Sequence, residues 1–374
     1  MGQPARENAP YRVLVLGAGS GAANNLIRSL RAGDPSILTV GCHDDRFLLR
    51  NSLADRNYLV PAPGRRSFAA ALRRVVSTER IDVLLPATDG DVEVASRLAH
   101  RLGCRIFLPR RATLALCRDK YRLATFLGSR GLPVPATYPL TSATAIDRAF
   151  RRLPRGSRAW CRIRTGNGSL GSVPVESPPQ VRAWIRCWTE LRRVPATAFT
   201  LSEYLPGRDF CHQSLWRDGT LILGKTYERL SYFGAGNQLG GVSSVATLAK
   251  TVFDPRVVEV TTAAIRAVDP APSGAFTVDL RENAVGVPCV TEINAGRLSS
   301  GTNVLDLTGK HNMTLTYVRL ALGDPVEFRG EYDAAEEYYM LRDLDSTPRV
   351  FHADDLFDDI REVPGLAASD HSRA

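Results

Sequence analysis

The chain has 374 residues, of which 44% are hydrophobic and 23% are charged, enough for two or three packed domains. No run of about 18 apolar residues is present, which excludes a transmembrane helix, and residues 1–10 lack the apolar segment of a signal peptide. From these two features we expect no membrane association and a cytoplasmic protein. The net charge of +9 comes mostly from arginines spread along the chain, so we expect no nucleic-acid partner.

The first part of the sequence alternates short apolar runs with amphipathic segments. Apolar runs of four or five residues predict buried strands, and apolar side chains at helical spacing predict helices. Strands that alternate with helices indicate a parallel, doubly wound α/β sheet, here over residues 11–112 after a disordered tail at residues 1–10. The predicted strands are residues 12–16, 37–40, 81–85 and 105–108, and the predicted helices are residues 24–31, 68–76 and 92–102.

A second region, residues 113–330, begins with a helix predicted over residues 119–130. Gly131 ends this helix, and Pro133 and Pro135 prevent its continuation. Strands and glycine-rich loops follow, and a last helix is predicted over residues 313–322. The predicted strands are residues 159–163, 173–175, 200–204, 210–216, 220–226, 275–281 and 288–293. Residues 331–374 are acidic and are predicted to be a C-terminal extension that packs on the edge.

The first glycine cluster, residues 17–22, follows a strand and opens a helix. Asp44 and Asp45 stand at the end of the next strand, where a dinucleotide-binding enzyme holds the ribose. Taken alone, this pattern favours an NAD-dependent oxidoreductase. The alternative is a turn that needs glycine only for close packing of the helix against the strand.

The second glycine cluster lies between two predicted strands. Gly166 and Gly168 allow main-chain N–H groups to turn toward phosphate oxygens, and Ser169 adds a hydroxyl. Arg162, near the end of the preceding strand, can reach a phosphate. The pattern predicts a phosphate-binding loop rather than a flexible hairpin, which is the alternative.

A third segment, residues 202–209, can recognise adenine through its own main-chain groups. Glu203 can accept the exocyclic amine, Leu205 follows in the same segment, and Asp209 can hold the ribose hydroxyls after a Pro-Gly turn. The alternative is a hairpin with two solvated acids.

The fourth set is Asp279, Glu292 and Asn294, on two strands joined by a short connection. If the strands pair, Asp279 and Glu292 come together, and Asn294 joins Glu292 by the period-two alternation of a strand. Acids on apolar strands are costly to bury without a cation, and oxygen ligands suit Mg²⁺. We favour a metal site over an exposed sheet face.

These segments resemble, in order, the motifs of the ATP-grasp superfamily, in particular its carboxylate–amine ligase and carbamoyl-phosphate-synthase-like branches. The resemblance covers residues 11–330. The matching segments are the Asp-Lys pair at 119–120 with GLPVP at 131–135, the loop at 162–171, EYLPGRD at 203–209, and Asp279 with EIN at 292–294. Two departures are Arg162 in place of the usual lysine, which is not a neutral exchange, and Arg297 one step later than usual.

The resemblance implies a Rossmann-like pre-grasp domain over residues 11–112 and a two-subdomain α+β ATP-grasp fold over residues 113–330, with a glycine-rich lid at about residues 135–205. It implies ATP and two Mg²⁺ ions, with Mn²⁺ as a substitute, and a homodimer through the first domain. The implied roles follow. Lys120, Arg162, Gly166, Gly168, Ser169, Glu203, Leu205 and Asp209 would bind ATP, Asp279, Glu292 and Asn294 would bind the metal, and Arg281 and Arg297 would be catalytic.

The implied activity is ligation of a small carboxylate to an amine through an acyl phosphate, with release of ADP and phosphate. Residues 227–245 are rich in Gly and Ser and are predicted to be an irregular segment that lines the acceptor pocket, with Arg229, Ser243 and Ser244 as substrate-binding residues. A disordered surface loop is the alternative for this segment. Two other functions stay open, a non-catalytic ATP-binding regulatory protein and the NAD-dependent oxidoreductase.

Overall fold

The computed structural model describes residues 10–154, 158–166, 168–237, 239–241, 243, 245–333, 338–341 and 360–363. The described strands are β1 Arg12–Leu16, β2 Leu38–His43, β3 Arg56–Leu59, β4 Val83–Leu85, β5 Arg105–Ile106, β6 Thr137–Pro139, β7 Ala159–Ile163, β8 Val173–Val175, β9 Phe199–Glu203, β10 Asp209–Arg217, β11 Thr220–Tyr232, β12 Ala246–Thr251, β13 Gly274–Glu282, β14 Pro288–Ala295, β15 Glu331–Tyr332, β16 Tyr339–Leu341 and β17 Ile360–Glu362.

The described α-helices are α1 Gly21–Gly33, α2 Arg46–Arg50, α3 Phe68–Glu79, α4 Asp89–Leu98, α5 Arg111–Arg118, α6 Lys120–Gly128, α7 Ala143–Arg152, α8 Pro178–Arg192, α9 Pro255–Val268, α10 Thr302–Thr308 and α11 Met313–Leu322. Short 3₁₀ turns are found at Ala196–Ala198 and Ala235–Asn237. None of these helices is long and apolar enough to cross a membrane.

The first of two units comprises residues 1–108, 296–327 and 344–374. Its sheet is parallel throughout, in the order β17-β3-β2-β1-β4-β5, as the alternation of strands and helices predicts. Apolar side chains of β1, β2, α3 and β4 form a buried core. The helix predicted over residues 92–102 is α4, which begins earlier because Thr88 and Asp91 form a capping box.

The second unit comprises residues 109–295 and 328–343. Its larger sheet has the order β14-β13-β10-β11-β12-β16, with β15 pairing in parallel with β11. Because side chains alternate across each strand, one face carries Phe210, Val278, Leu280 and Ile293, which pack in a core with α5, α6 and α9. The opposite face carries the polar residues described below.

The smaller sheet of the second unit is antiparallel, in the order β6-β9-β7-β8. Helices α7 and α8 bury Ile146 and Ile185 against it in a separate apolar core. These elements span Thr137–Glu203, the region that the resemblance assigns to a glycine-rich lid.

The division of the chain at residues 295–296 and 327–328 differs from the sequence boundaries. Residues 296–327, which contain α10 and α11, lie in the first unit with α1 rather than in the second. The C-terminal residues contribute edge strands to both units, since β16 pairs with β12 and β17 pairs with β3.

Candidate functional site

The polar face of the larger sheet brings two acids side by side. Asp279 in β13 lies directly opposite Glu292 in β14, and a register shift follows between Asp279 and Leu280. The side-chain amide of Asn294 donates to Oδ2 of Asp279 at 3.1 Å. The sequence predicted this convergence from strand pairing and alternation, and the register shows it. The metal role of the three residues remains a prediction.

Each of the two acids is paired with a different basic side chain. The guanidinium of Arg229 donates to Oδ1 of Asp279 at 2.5 Å, and Nζ of Lys120 lies 3.1 Å from Oε1 of Glu292. A buried carboxylate is stable only when it is paired or binds a cation. The oxygen donors of Asp279, Glu292 and Asn294 suit a hard divalent cation such as Mg²⁺, and their surroundings already supply positive charge.

Lys120 is positioned by the start of α6. Asp119 caps this helix by accepting from the main-chain N of Arg122 at 3.0 Å. The Asp119 carboxylate also accepts two hydrogen bonds of 2.7 Å from Arg164, just after β7. Burial alone would raise the pKa of Asp119, but these hydrogen bonds and the Arg164 charge lower it. The Lys120 ammonium then donates to the carbonyl of Gly166 as well as pairing with Glu292.

Arg162 lies near the end of β7 and is 7% exposed. It donates to the carbonyl of Thr291 at 3.0 Å, and its Nε has no hydrogen-bond partner within the described residues. Burial lowers the pKa of Arg162, while Glu292 and Asp279 oppose that shift. Its charge therefore lies close to the two acids, and an unpaired buried donor is available for an anionic ligand.

The glycine-rich loop has a run of left-handed backbone conformations. The φ angles of Gly166, Gly168, Ser169 and Gly171 are 133°, 69°, 56° and 70°. A Cβ atom added at Gly166 or Gly168 would meet nothing within 4 Å, whereas one at Gly171 would lie 2.6 Å from Ile163 Cδ1. The first two glycines therefore line open space, and the third packs against β7. Asn167 lies outside the described residues.

The segment predicted to bind adenine and ribose joins β9 to β10. Glu203 ends β9, where its main-chain N donates to the carbonyl of Ala136 at 2.9 Å, and Leu205 is buried. Asp209 begins β10 and accepts from Arg229 at 2.7 Å and from the hydroxyl of Tyr232. A ribose hydroxyl on Asp209 would share the carboxylate with these donors.

Arg229 does not lie in an irregular segment as predicted. Residues 227–232 are the end of the long strand β11, so the expectation for this part of residues 227–245 is wrong. The strand continues because Tyr227 and Arg229 pair with Thr251 and Ala249 of β12. The Ser243 hydroxyl bonds only locally in the described structure, with the carbonyl of Val245 at 3.1 Å, and Ser244 lies outside the described residues.

The two arginines predicted to be catalytic belong to different units. Arg281 in β13 donates to the carbonyl of Gly207 at 3.3 Å and lies 3.9 Å from Asp209. Arg297 belongs to the first unit, where it pairs with Asp89. The role of Arg297 remains a prediction from the resemblance.

The first glycine turn packs closely against helix α2 at Gly19. A Cβ at Gly19 would lie 1.6 Å from the carbonyl oxygen of Leu48, and Asn51 donates to the Gly19 carbonyl at 3.0 Å. Asp45 caps α2 by accepting from Phe47 and Leu48. This glycine serves close packing, which was the alternative reading of the cluster, and the geometry gives no support to NAD binding.

Sequence reasoning missed Tyr232 as a neighbour of Asp209. Period-two alternation places residues 229 and 232 on opposite faces of a regular strand. The register between β11 and β12 shifts between Arg229 and Ser231 and again between Ser231 and Tyr232. Such irregularities change the face of the sheet on which a side chain lies, and the residue pattern of this segment does not predict them.

The described residues hold no cluster of three or more His, Cys, Asp or Glu side chains with metal-binding geometry. The predicted set has two carboxylates and one amide, and its metal role stays a prediction. Magnesium sites of this kind rely on nucleotide phosphates and water for the remaining ligands.

No protein-family model matches the chain, and no curated protein sequence matches it. Solved structures do. An L-amino acid ligase from Bacillus licheniformis matches with a TM-score of 0.63 at 14% identity, over 84% of this chain and 75% of that one. N5-carboxyaminoimidazole synthetase from Staphylococcus aureus, complexed with ADP, matches with a TM-score of 0.65 at 13% identity, over 87% and 80%.

A third similar structure is the biotin carboxylase domain of 2-oxoglutarate carboxylase from Hydrogenobacter thermophilus, in complex with MgADP and bicarbonate. It matches with a TM-score of 0.65 at 14% identity, over 86% of this chain and 72% of that one. These structures are ATP-grasp proteins, and the chain has their fold.

Proposed function

We propose that this chain is an ATP-dependent ligase that joins a small carboxylate to an amine through an acyl phosphate. The ATP-grasp fold and the ligases among its structural neighbours support an ATP-using ligase at the coarse level. The observation that carries the proposal is the convergence of Asp279, Glu292 and Asn294 with Lys120 and Arg162. They lie beside a glycine loop where a Cβ at Gly166 or Gly168 would meet no atom of the described residues within 4 Å.

The nucleotide is assigned to residues that surround this convergence. The main-chain N–H groups of Gly166, Gly168 and Ser169 would approach the phosphates. Lys120 and Arg162 would balance the negative charge of the phosphates. Glu203 and Leu205 would border the adenine. Bound Mg²⁺, held by Asp279, Glu292 and Asn294, would neutralise phosphate charge.

In the first step, a carboxylate oxygen of the acid attacks the γ-phosphorus of ATP and the bond to the β-phosphate oxygen breaks, which releases ADP. Lys120, Arg162 and Arg281 offset the charge that develops on the transferred group. In the second step, the amine nitrogen attacks the acyl carbon, phosphate leaves, and the nitrogen loses a proton. Both partners are small molecules, and no protein nucleophile is required.

The nucleotide part of the proposal is tested by thermal melting with Mg²⁺ and ATP, ADP or NAD. A ligand at about 100 times its Kd adds about 2.7 kcal/mol to the unfolding free energy, a shift of several degrees. We expect ATP with Mg²⁺ to raise the Tm of the native chain and NAD to leave it unchanged. A shift with NAD alone would overturn the proposal.

The matched variants are Glu292→Gln and Glu228→Gln. Glu228 precedes Arg229 in β11, so its side chain lies on the opposite face of the sheet, where it pairs with Arg208. Glu228→Gln therefore removes one carboxylate charge, as Glu292→Gln does, but outside the site. We expect Glu292→Gln to abolish the ATP shift and Glu228→Gln to retain it. Equal shifts in the two variants would remove Glu292 from the site.

The chemical part is tested by ADP release with hydroxylamine, which traps an acyl phosphate as a hydroxamate, and a panel of carboxylic acids. Turnover with one acid class supports the ligase. The second candidate is a non-catalytic ATP-binding protein, which Arg162 in place of the usual lysine motivates. It predicts an ATP shift in melting without ADP release for any acid.

A further inference from the structure

Arg229 links the two carboxylates that the proposed site would use for different purposes. Its NH1 donates to Asp209 at 2.7 Å and its NH2 donates to Asp279 at 2.5 Å. The side chain is 10% exposed, and its Nε has no hydrogen-bond partner within the described residues. Burial by itself lowers the pKa of Arg229, but the charges of Asp279 and Asp209 raise it by more. The net pKa lies above the usual value of an arginine, so the guanidinium is charged.

The contact with Asp279 competes with a metal. One oxygen of Asp279 accepts from Arg229, and the other accepts from the amide of Asn294 at 3.1 Å. A divalent cation on Asp279 would stand next to the guanidinium, and two close positive charges in a half-buried site repel strongly. A metal on Asp279 would therefore weaken the contact between Asp279 and Arg229.

The contact with Asp209 explains where the guanidinium remains when it leaves Asp279. Arg229 and Asp209 occupy opposed positions on β11 and β10, so this pair is fixed by strand register. If the guanidinium of Arg229 left Asp279, its NH2 and its unpaired Nε would form one free edge with two parallel donors. That edge is the geometry that binds a carboxylate or a phosphate oxygen pair.

We propose that Arg229 is the internal counter-ion of the cation site: a divalent metal displaces it from Asp279, and the displaced guanidinium binds the anionic group of the acid substrate. This rests on the proposed function, because it assumes that Asp279 binds metal. Metal with nucleotide then strengthens binding of the acid, and the acid strengthens binding of the metal to the same degree. Arg229 thereby couples binding of the metal to binding of the acid.

The test measures Mn²⁺ binding without nucleotide. Binding is monitored as the loss of the electron paramagnetic resonance signal of free Mn²⁺. We compare the native chain with Arg229→Met, Arg229→Lys and Arg208→Met. Arg208 is the matched control, because it forms a bidentate pair with Glu228 on the opposite side of the same hairpin. Its loss removes one positive charge near the site without freeing Asp279.

We expect Arg229→Met to bind Mn²⁺ at least about tenfold more tightly than the native chain, since a close charge competitor is gone. Arg229→Lys should be intermediate, because one ammonium cannot bridge both acids as a fork does. Arg208→Met should match the native chain. Equal Mn²⁺ affinity in the native chain and both Arg229 variants would overturn the proposal.

A variant that unfolds without metal is still informative. Arg229→Met leaves two acids without their common partner, so its Tm should rise more steeply with Mn²⁺ than that of the native chain, and a rise no steeper than native contradicts the proposal. Mn²⁺ with a non-hydrolysable ATP analogue on the native chain separates the two ideas. If the native chain does not bind Mn²⁺ with the analogue, the proposed function is refuted. If it does bind them but the Arg229 variants have the Mn²⁺ affinity of the native chain, only the role of Arg229 is refuted.

Discussion

Nζ of Lys120 lies 3.1 Å from Oε1 of Glu292, and the same ammonium donates to the carbonyl of Gly166. One buried cation therefore connects the start of α6, a strand of the larger sheet and the glycine-rich loop. The loop and the acid therefore share one positively charged partner.

Replacement of Lys120 by Met should lower both the stability of the chain and its affinity for ATP. Glu292, whose side chain is 21% exposed, would keep Arg162 as a nearby positive charge, so we expect a loss of about 2 kcal/mol of unfolding free energy without ligands. We expect at least about tenfold weaker binding of ATP with Mg²⁺, measured by calorimetry. Lys250→Met, in strand β12, is the control with the same change of side chain. Unchanged ATP affinity in Lys120→Met would contradict the placement of the phosphates.

Two glycines of the loop should respond differently to alanine. Both have φ near 70°, so each variant pays about 1 kcal/mol for a left-handed conformation. Gly168→Ala adds a methyl in open space and should weaken nucleotide binding more than it lowers the Tm. Gly171→Ala pushes on Ile163 and should lower the Tm more than it weakens binding. Melting and nucleotide titration of the pair check this, and the reverse order would show that Gly168 does not face the ligand.

The stability of the second unit should fall in mild acid because of His212. Burial lowers the pKa of this histidine from 6.5 to about 4, and its Nδ1 lies 2.7 Å from the hydroxyl of Thr226. The unfolded chain binds the extra proton between these two pH values, so the unfolding free energy decreases as pH falls from 6.5 toward about 4. The contribution is about 3 kcal/mol.

Urea unfolding at pH 7 and at pH 5 measures about 2 kcal/mol of this loss, with His212→Gln and His100→Gln as a pair. His100 is exposed, so its variant should keep the pH dependence of the native chain. His212→Gln should lose less stability between the two pH values than the native chain does. The same pH dependence in all three proteins would show that another group is responsible.

The first glycine turn should be structural. A methyl at Gly19, where φ is 91°, would meet the main chain of Leu48, so Gly19→Ala should destabilise the first unit by about 3 kcal/mol or more. Gly21→Ala, which meets nothing within 4 Å, should change the unfolding free energy by at most about 0.5 kcal/mol. Denaturant unfolding of the two variants checks this, and a tolerated methyl at Gly19 would reopen the question of a dinucleotide there.

The sequence by itself determined the alternating strands and helices of the first unit and the strand pair that carries the two acids, whereas helices α7, α8 and α9 were not predicted. Period-two alternation in β13 and β14 was enough to bring Asp279, Glu292 and Asn294 together, because one strand register fixes the face of every side chain on it. Alternating strands and helices were enough for the parallel sheet of the first unit. These features depend on spacing along the chain, which a sequence displays directly.

Only the tertiary structure decided which charges meet. The sequence placed Arg229 in an irregular segment, whereas the structure puts it in β11, between Asp209 and Asp279. The register shifts that bring Tyr232 to Asp209, and the close approach of Leu48 to Gly19, depend on how strands and loops pack. Such contacts join residues far apart in the chain through shape and burial, and a single sequence carries no direct record of either.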